Sequence, residues 1–253
     1  MAKIIAVSVP KGGVGKTTTV VNLAASLAVA EKKTIIVDFD ASGSCSIALG
    51  YTPEKIMGDI FQVIAYTKSI ENCIHHTEVP FLDFIPACVP SYEMEQRFDK
   101  LATNLMFIVN TLKSIEMYYD FIIIDCPPSI RGMSINALAA ADSVLIPVRA
   151  ETFSISALKK MIQHIEYVKK VYNPKLKIEG IFFTMYEPKT KVSTKAMSEL
   201  EANYKQFLLQ TSIPKNVAIT EATFHGIPAV LYNAVSKGSQ AYLSLAAEVL
   251  KNH

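Results

Sequence analysis

Residues Lys3 to Ala28 read KIIAVSVPKGGVGKTTTVVNLAASLA, and this stretch decides how the chain folds. It begins with a short β-branched apolar run, passes through a glycine-rich turn that ends at Gly15, and continues as an amphipathic pattern. This order predicts a strand, a loop and a helix. A loop placed between a strand and a helix favours anion binding, because the helix N-terminus carries partial positive charge.

The composition of the loop indicates that the anion is a phosphate. Gly12, Gly13 and Gly15 let the backbone curl so that successive N–H groups point inward. Lys16 and Thr17 follow directly. In phosphate loops, a lysine at this place meets the β- and γ-phosphates of a nucleotide and the hydroxyl binds Mg²⁺.

The loop departs from the general pattern G-x-x-x-x-G-K-[ST] at its first position, where Pro10 replaces the glycine, and Lys11 adds a second lysine. The segment KGGVGKTTTVVNLAASLA resembles the deviant Walker A loop of the ParA/MinD/Soj ATPases. The resemblance implies that Lys11 reaches across a nucleotide-sandwich dimer to the partner's ATP, whereas Lys11 read without it is a solvated lysine. The implied nucleotide-binding residues are Lys11, Gly12, Gly13, Val14, Gly15, Lys16, Thr17 and Thr18.

Two acidic residues mark the end of the next predicted strand. Lys33 to Asp38 fits a strand buried on both faces, and Asp40 lies two residues beyond it. Ligands of open α/β folds bind at such strand ends, although the segment alone also fits a polar turn. In the resembling family this is switch I, which implies that Asp38 holds Mg²⁺ through water and Asp40 orients the hydrolytic water. Ala41 and Ser42 replace the family's usual Pro and Gln.

A further acid follows the β-branched run in YDFIIIDCPP, residues 119–128. The run predicts a central strand that delivers Asp125 at its end, as expected of a Walker B acid; a buried acid capping the next turn is the alternative. In the resembling family this is switch II, and the implied magnesium set is Thr17, Asp38 and Asp125. Arg131 occupies a position where the family has glycine.

Length and composition set broader limits. Half of the 253 residues are apolar, which is enough for a large core, and we expect one domain over residues 1–253. The net charge of +2 makes no case for nucleic acid, but residues 159–215 hold eleven lysines against five glutamates and no other charged residue. The four cysteines are widely spaced and are expected to be reduced thiols. The sequence shows neither a leader nor a membrane span, so we expect a cytoplasmic protein.

The remaining patterns predict an α/β fold, a mostly parallel twisted sheet with helices on both faces. The further predicted strands are 81–87, 143–148 and 177–185, and the further predicted helices are 54–66, 91–118, a helix after Glu151 and 236–251. The helix after Glu151 has an apolar stripe consisting of Leu158, Met161, Ile162, Ile165 and Val168. The pair His75-His76 lacks further ligands at suitable spacing and is expected in a surface loop.

The resemblance continues into the C-terminal half. TMYEPKT, residues 184–190, resembles the family's TMYDPRT, and residues 211–226 resemble its IPRNVRLSEAPSHG. These matches imply that Pro214 contacts the adenine and that Lys189 and Lys215 contribute to nonspecific DNA binding. Ala218 replaces a basic residue of the family pattern, so one expected DNA contact is missing.

The resemblance implies a slow ATPase with ATP and Mg²⁺ as cofactors and Lys11, Lys16 and Asp40 as catalytic residues. Such a protein forms a homodimer on ATP, binds DNA nonspecifically and is stimulated by a ParB-type centromere-binding partner. In a bacterial cell it associates with the nucleoid and segregates a plasmid or chromosome.

Three alternatives share the phosphate loop. A MinD-like positioning or division-site ATPase ends in a basic amphipathic helix, and this sequence stops at Asn252-His253 directly after the last predicted core helix, so we expect no membrane partner. An iron–sulfur carrier needs clustered thiolates or C-x-x-C, and neither is visible in the sequence. A small-molecule kinase is disfavoured by Lys11 and the matching switch segments.

Overall fold

The computed structural model describes residues 1–88, 93, 94, 98, 104–151 and 154–252. A seven-stranded sheet runs through it in the order β3-β4-β2-β5-β1-β6-β7. The strands are β1 (Lys3–Val7), β2 (Thr34–Asp38), β3 (His75–His76), β4 (Leu82–Ile85), β5 (Phe121–Asp125), β6 (Ser143–Arg149) and β7 (Lys177–Thr184). Neighbouring strands are parallel except β3 and β4, which are antiparallel.

Helices connect most of the parallel strands, as crossover connections require. Those within the described residues are α1 (Lys16–Val29), α2 (Ser44–Ala48), α3 (Ile60–Ile64), α4 (Leu105–Ile115), α5 (Met133–Ala140), α6 (Ser154–Val171), α7 (Lys191–Tyr204), α8 (Val217–Phe224), α9 (Ala229–Tyr232) and α10 (Lys237–Lys251).

Alternate residues of the central strands belong to two separate apolar cores, one on each face of the sheet. In β1, Ile4 and Ala6 lie in one core, and Ile5 and Val7 lie in the other. Buried residues of α4, α5, α6 and α7 cover the first face, and those of α1 and α10 cover the second. The predicted fold class, a mostly parallel sheet with helices on both faces, is confirmed.

The predicted helix over residues 54–66 is wrong in its bounds. The chain forms a short 3-10 turn at Pro53–Lys55 and then a separate helix, α3. Asp59 separates the two because its extended backbone stands outside the helix while its carboxylate accepts the Gln62 N–H at 2.8 Å. This N-cap starts a new helix in the middle of the predicted one.

Two other predictions differ from the structure, namely the loop expected at His75-His76 and the helix expected over 91–118. His75 and His76 form strand β3 at the sheet edge instead of a loop, because they pair with Phe84 and Asp83 of β4. A two-residue strand is too short to show a periodic pattern. The predicted helix over 91–118 is not continuous, because Asn104 caps the start of Leu105–Ile115 and a 3-10 turn follows at Glu116–Tyr118. Residues 91, 92, 95–97 and 99–103 of the predicted helix lie outside the described residues.

The sheet brings the predicted site residues to one edge. Strands β1, β2 and β5 are adjacent and parallel, and Asp125 is the register partner of both Val7 and Asp38. The loop that follows β1 and the acids that end β2 and β5 therefore share the carboxyl edge of the sheet, where open α/β proteins bind ligands.

Candidate active site

The loop between β1 and α1 has the backbone shape that an anion requires. Gly13 and Gly15 have φ angles of 73° and 84°, in the left-handed region that glycine adopts without strain. Gly15 is the N-cap of α1, and among the described residues no side chain caps it. The first N–H groups of α1 are therefore available to an anion at the end of the helix.

Lys16 lies folded against this loop. Its side chain is buried, and its Nζ donates a hydrogen bond to the Lys11 carbonyl at 3.1 Å. Burial lowers the pKa of Lys16, and the negative charges of Asp125 and Asp40 oppose that effect. The lysine and the two acids are thus close enough to interact electrostatically.

The ends of β2 and β5 hold two buried carboxylates side by side. Asp38 accepts N–H groups from Asp40 at 2.9 Å and Cys45 at 3.4 Å, and Asp125 accepts the Thr17 hydroxyl at 2.6 Å. Burial raises the pKa of Asp38 well above its usual range, and it raises the pKa of Asp125 to about 6. Two adjacent buried carboxylates with raised pKa values favour a cation between or beside them.

Asp40 differs from these two acids in its exposure. It is half-buried, and its Oδ1 accepts the Ser42 N–H at 3.0 Å. The negative charge of Asp40 raises the pKa of both Lys16 and Asp125, so Asp40 lies at the same edge of the sheet as the loop. A carboxylate in this position can accept a proton or orient a water near the loop.

A cavity of about 750 Å³ adjoins the loop, and its walls include Gly15, Thr18 and Pro214. The volume is in the range of small-molecule and cofactor sites. Pro214, the predicted base contact, therefore lies beside the start of α1. The remaining lining residues are Ile47, Thr184, Met185, Ile213, Lys215, Asn216, Ile219, Thr220, Thr223, Phe224 and Tyr242.

Comparison with known proteins identifies the family. A model described as an AAA domain matches residues 2–178. The chromosome partitioning protein ParA of Myxococcus xanthus is 38% identical over 251 residues, which cover 99% of this chain and 89% of the relative. The sporulation initiation inhibitor protein Soj of Bacillus subtilis is 36% identical over 252 residues, the full length of both. The chain belongs to the ParA/Soj family. The resemblance found in the sequence is thereby confirmed.

Solved structures similar to this ParA/Soj member include nucleotide-bound proteins. The septum site-determining protein MinD of Pyrococcus horikoshii, complexed with Mg-ADP, has a TM-score of 0.83 and 28% identity over 100% of this chain and 97% of that one. Cobyrinic acid a,c-diamide synthase of Mycobacterium smegmatis, with bound ADP and magnesium, has a TM-score of 0.84 and 26% identity over 100% and 95%. Within the described part of the chain, no helix is long and apolar enough to cross a bilayer.

Lys11, the additional lysine of this ParA/Soj loop, contacts its own chain. Its Nζ lies 3.0 Å from Glu151 Oε2, and the other oxygen of Glu151 pairs with Arg149 Nε at 2.9 Å. This ion pair is partly exposed, with side-chain exposures of 24% for Lys11 and 39% for Glu151. Exposed pairs of this kind contribute only about 0.2–1 kcal/mol to the free energy of unfolding. The ion pair with Glu151 therefore adds little to the stability of the fold.

The two lysines predicted to contact DNA are both exposed. Lys189 lies in the turn before α7, and Lys215 lies at the rim of the cavity beside Pro214. Ala218 stands in the first turn of α8. The lysines on α6 that face away from its buried stripe, Lys159, Lys160 and Lys170, are also exposed. The predicted stripe of α6 is buried except for Ile162, which is partly exposed.

The sequence analysis missed two residues of this ParA/Soj site. Thr184 Oγ1 donates to the Val14 carbonyl at 2.7 Å and so ties the end of β7 to the loop. Cys45 is buried, with its Sγ 3.4 Å from Asp125 Oδ2. Thr184 is the second-last residue of the strand predicted over 177–185, and its place near the carboxyl end of that strand was a usable signal. The sequence around Cys45 contains no comparable signal, because only the turn between β2 and α2 places this residue beside Asp38 and Asp125.

The raised pKa of Asp125 leads to a prediction on stability. Its native pKa of about 6 exceeds the value near 3.9 of an unfolded chain, so the native state binds this proton more tightly. The stability of the ligand-free protein should therefore fall as pH rises from about 4 to above 6. Asp125→Asn should raise the free energy of unfolding by on the order of 3 kcal/mol at pH 8 and by little at pH 4, as measured by urea unfolding.

The matched control for this prediction is Asp120→Asn, an exposed residue just before the other end of β5. Its Oδ2 accepts the Lys33 N–H at 2.8 Å, and the amide oxygen of asparagine can accept the same bond. This variant should leave the stability nearly unchanged at both pH values, within about 0.5 kcal/mol. If Asp125→Asn lowered the stability at pH 8, the carboxylate would be charged and favourably paired in the free protein.

Proposed function

We propose that this ParA/Soj member is a slow ATPase that dimerises on ATP, binds DNA nonspecifically and segregates a plasmid or chromosome. The observation that carries the proposal is the convergence of Lys16, Thr17, Asp38, Asp40 and Asp125 at one sheet edge, in a chain that matches proteins named ParA and Soj along its whole length. We further propose that residues 1–253 act as one domain.

In this proposal the triphosphate lies on the N–H groups of the loop from Lys11 to Thr18, and the base lies against Pro214. Lys16 neutralises charge that develops on the phosphates, and Asp40 orients the attacking water. The backbone of the loop can hold the triphosphate without rearrangement, because Gly13 and Gly15 already have left-handed φ angles and α1 begins directly at Lys16.

The residues at the sheet edge also fit Mg²⁺. All the candidate metal ligands are oxygen atoms, namely the Thr17 hydroxyl and the two carboxylates beside it. Asp125 Oδ1 is buried without a hydrogen-bond partner among the described residues. Mg²⁺ prefers oxygen ligands and keeps several waters. We propose that Thr17 binds the ion directly and that Asp38 and Asp125 hold it through water. Bound there, Mg²⁺ would neutralise phosphate charge.

Dimerisation is proposed to complete the site. Lys11 would exchange its contact with Glu151 for the partner's triphosphate, acting as an arginine finger does in other nucleotide hydrolases. The exchange is favourable in electrostatic terms, because a partly exposed ion pair is weak and a triphosphate carries several charges. Hydrolysis then removes the γ-phosphate and releases the dimer. A ParB-type centromere-binding partner would stimulate this step.

The proposed DNA contacts rest on exposed lysines, chiefly Lys189 and Lys215. Contacts between lysine ammonium groups and phosphate oxygens carry no sequence information. We therefore propose nonspecific binding, a cytoplasmic protein associated with the bacterial nucleoid, and no membrane partner. The competing function is that of a MinD-like positioning ATPase, which would bind anionic membranes.

A DNA shift assay with ATP, ADP and no nucleotide at two salt concentrations tests the proposal, with liposome flotation run in parallel. We expect a shift only with ATP, equal on unrelated sequences, and no flotation. Flotation with ATP and no DNA shift would establish the MinD-like function instead.

Replacing both Lys189 and Lys215 with alanine should weaken DNA binding uniformly across sequences. Each phosphate contact contributes about −0.9 to the slope of log K against log salt, and the ATP dimer carries both lysines on each subunit, so the double variant should lose up to about 3.6 from that slope. Filter binding at several salt concentrations measures it. The matched control is Lys32→Ala with Lys33→Ala, since these residues precede β2 at the opposite edge of the sheet. An unchanged slope in the Lys189 and Lys215 variant would contradict their assignment.

A further inference from the structure

The edge of the sheet holds a buried group of three metal-ligating side chains that the proposed ATPase chemistry does not fully use. A carboxylate oxygen of Asp38, the Sγ of Cys45 and a carboxylate oxygen of Asp125 all lie within 4.8 Å of one another. It is the one such group within the described residues. Hard Mg²⁺ has no use for a thiol, so Cys45 has no part in the proposed magnesium site.

The distances in this group match a tetrahedral ion. Ligand atoms bound to one zinc ion at about 2.0–2.3 Å lie roughly 3.3–3.8 Å apart. Cys45 Sγ donates a hydrogen bond to Asp125 Oδ2 at 3.4 Å, and two ligands of such an ion adopt the same separation once the thiol has lost its proton. The remaining separations would have to shorten by at most about 1.5 Å, since no two of these atoms are more than 4.8 Å apart.

A second observation points to a cation at the same place. Asp125 is 1% exposed, and its Oδ1 has no hydrogen-bond partner among the described residues. A buried carboxylate with an oxygen left without a partner costs free energy, and a divalent ion bound to that carboxylate would offset the cost by neutralising its charge. Its other oxygen, Oδ2, already receives contacts from both Thr17 Oγ1 and Cys45 Sγ.

From this geometry we propose that Asp38, Cys45 and Asp125 form a binding site for a soft or borderline divalent cation such as Zn²⁺. Binding exchanges water ligands of the ion for one sulfur and two oxygen ligands, releases the thiol proton and any proton held by the two carboxyl groups to solvent, and leaves the fourth position to water. The fold positions all three ligands for it. Asp38 and Asp125 are register partners on β2 and β5, and Gly43 turns the chain with a φ of 61° so that Cys45 enters α2 beside them.

This site overlaps the proposed magnesium site but does not depend on the ATPase proposal. The same two carboxylates would hold either ion, and only the softer ion would recruit Cys45. The test therefore uses the full chain without nucleotide and without an affinity tag. Failure of the DNA and ATP experiments above would leave its result unaffected.

The experiment is a titration with Cd²⁺, which stands in for Zn²⁺ and gives an ultraviolet charge-transfer band when it binds a thiolate. We expect a saturable band with one Cd²⁺ per chain. Cys45→Ser should weaken binding at least about 100-fold, because even changes outside the ligand shell cost 10- to 100-fold. The matched control is Cys73→Ser, a buried thiol beside Gly58, and it should leave the titration unchanged.

A second measurement needs no variant. Zinc-edge X-ray absorption of the wild-type chain with one equivalent of Zn²⁺ should show one sulfur near about 2.3 Å and oxygen ligands near about 2.0 Å. A shell of nitrogen and oxygen alone would mean that Zn²⁺ binds surface histidines, and it would overturn the proposal. The absence of a cadmium band, or a band that persists in Cys45→Ser, would overturn it as well.

Discussion

Lys16→Ala is expected to abolish ATP binding. The side chain is buried against the loop, with its Nζ 3.1 Å from the Lys11 carbonyl, so its charge is already fixed where the phosphates are proposed to lie. A hydrogen bond to a charged group is worth about 1.5–3 kcal/mol, and Lys16 would make at least two with a triphosphate. Each 1.4 kcal/mol of lost binding free energy raises Kd tenfold, so the loss of two such bonds, about 3 kcal/mol, should lower the affinity at least about 100-fold. Titration with a fluorescent ATP analogue measures the loss.

Lys33→Ala is the matched control for Lys16→Ala, because Lys33 is exposed just before β2 at the opposite edge of the sheet. It should bind ATP as the wild type does. Circular dichroism of both variants establishes that the sheet is intact. Affinity within about twofold of the wild type in Lys16→Ala would mean that the loop is not the phosphate site.

The sequence was sufficient for the parts of the molecule that depend on local pattern. The apolar run that ends at Asp125 and the glycines before Lys16 identify β5 and the loop, because a buried parallel strand and a left-handed turn restrict composition strongly. The adjacency of β1, β5 and β2 was not predicted, because strand order is a long-range property that local pattern does not determine.

What the sequence missed depends on contacts between distant residues. The pairing of Lys11 with Glu151 spans 140 positions and has no local signature. Cys45 approaches Asp125 across 80 positions through a turn, and a single cysteine in a sequence is uninformative. The break at Asp59 shows the opposite failure, because there a local N-cap starts a new helix inside the stretch that was predicted as one helix over 54–66.

Asp40→Ala is expected to trap an ATP-bound dimer. Its Oδ1 accepts only the Ser42 N–H among the hydrogen bonds described, so the change should leave the loop, Lys16 and the magnesium ligands in place. Nucleotide binding should survive while hydrolysis falls by about 10²- to 10⁴-fold, the usual contribution of a general base. Size-exclusion chromatography with light scattering should show a dimer with ATP and a monomer with ADP.

Asp40→Asn is the matched control, since it keeps the bond from Ser42 and removes only the basic oxygen. It should trap the dimer as Asp40→Ala does, which assigns the effect to lost basicity and not to lost packing. A monomer of Asp40→Ala with ATP would contradict the assignment.

Adding Lys11→Ala to the Asp40→Ala chain separates binding from dimerisation. The Lys11–Glu151 bridge contributes at most about 1 kcal/mol to the monomer, so its loss should leave the fold and the ATP affinity of each monomer nearly unchanged. The dimer should nevertheless disappear, because each subunit then lacks the charge that it lends to the triphosphate of the other. A dimer that persists in the double variant would mean that Lys11 stays on Glu151 throughout and that the two nucleotides are held by other contacts.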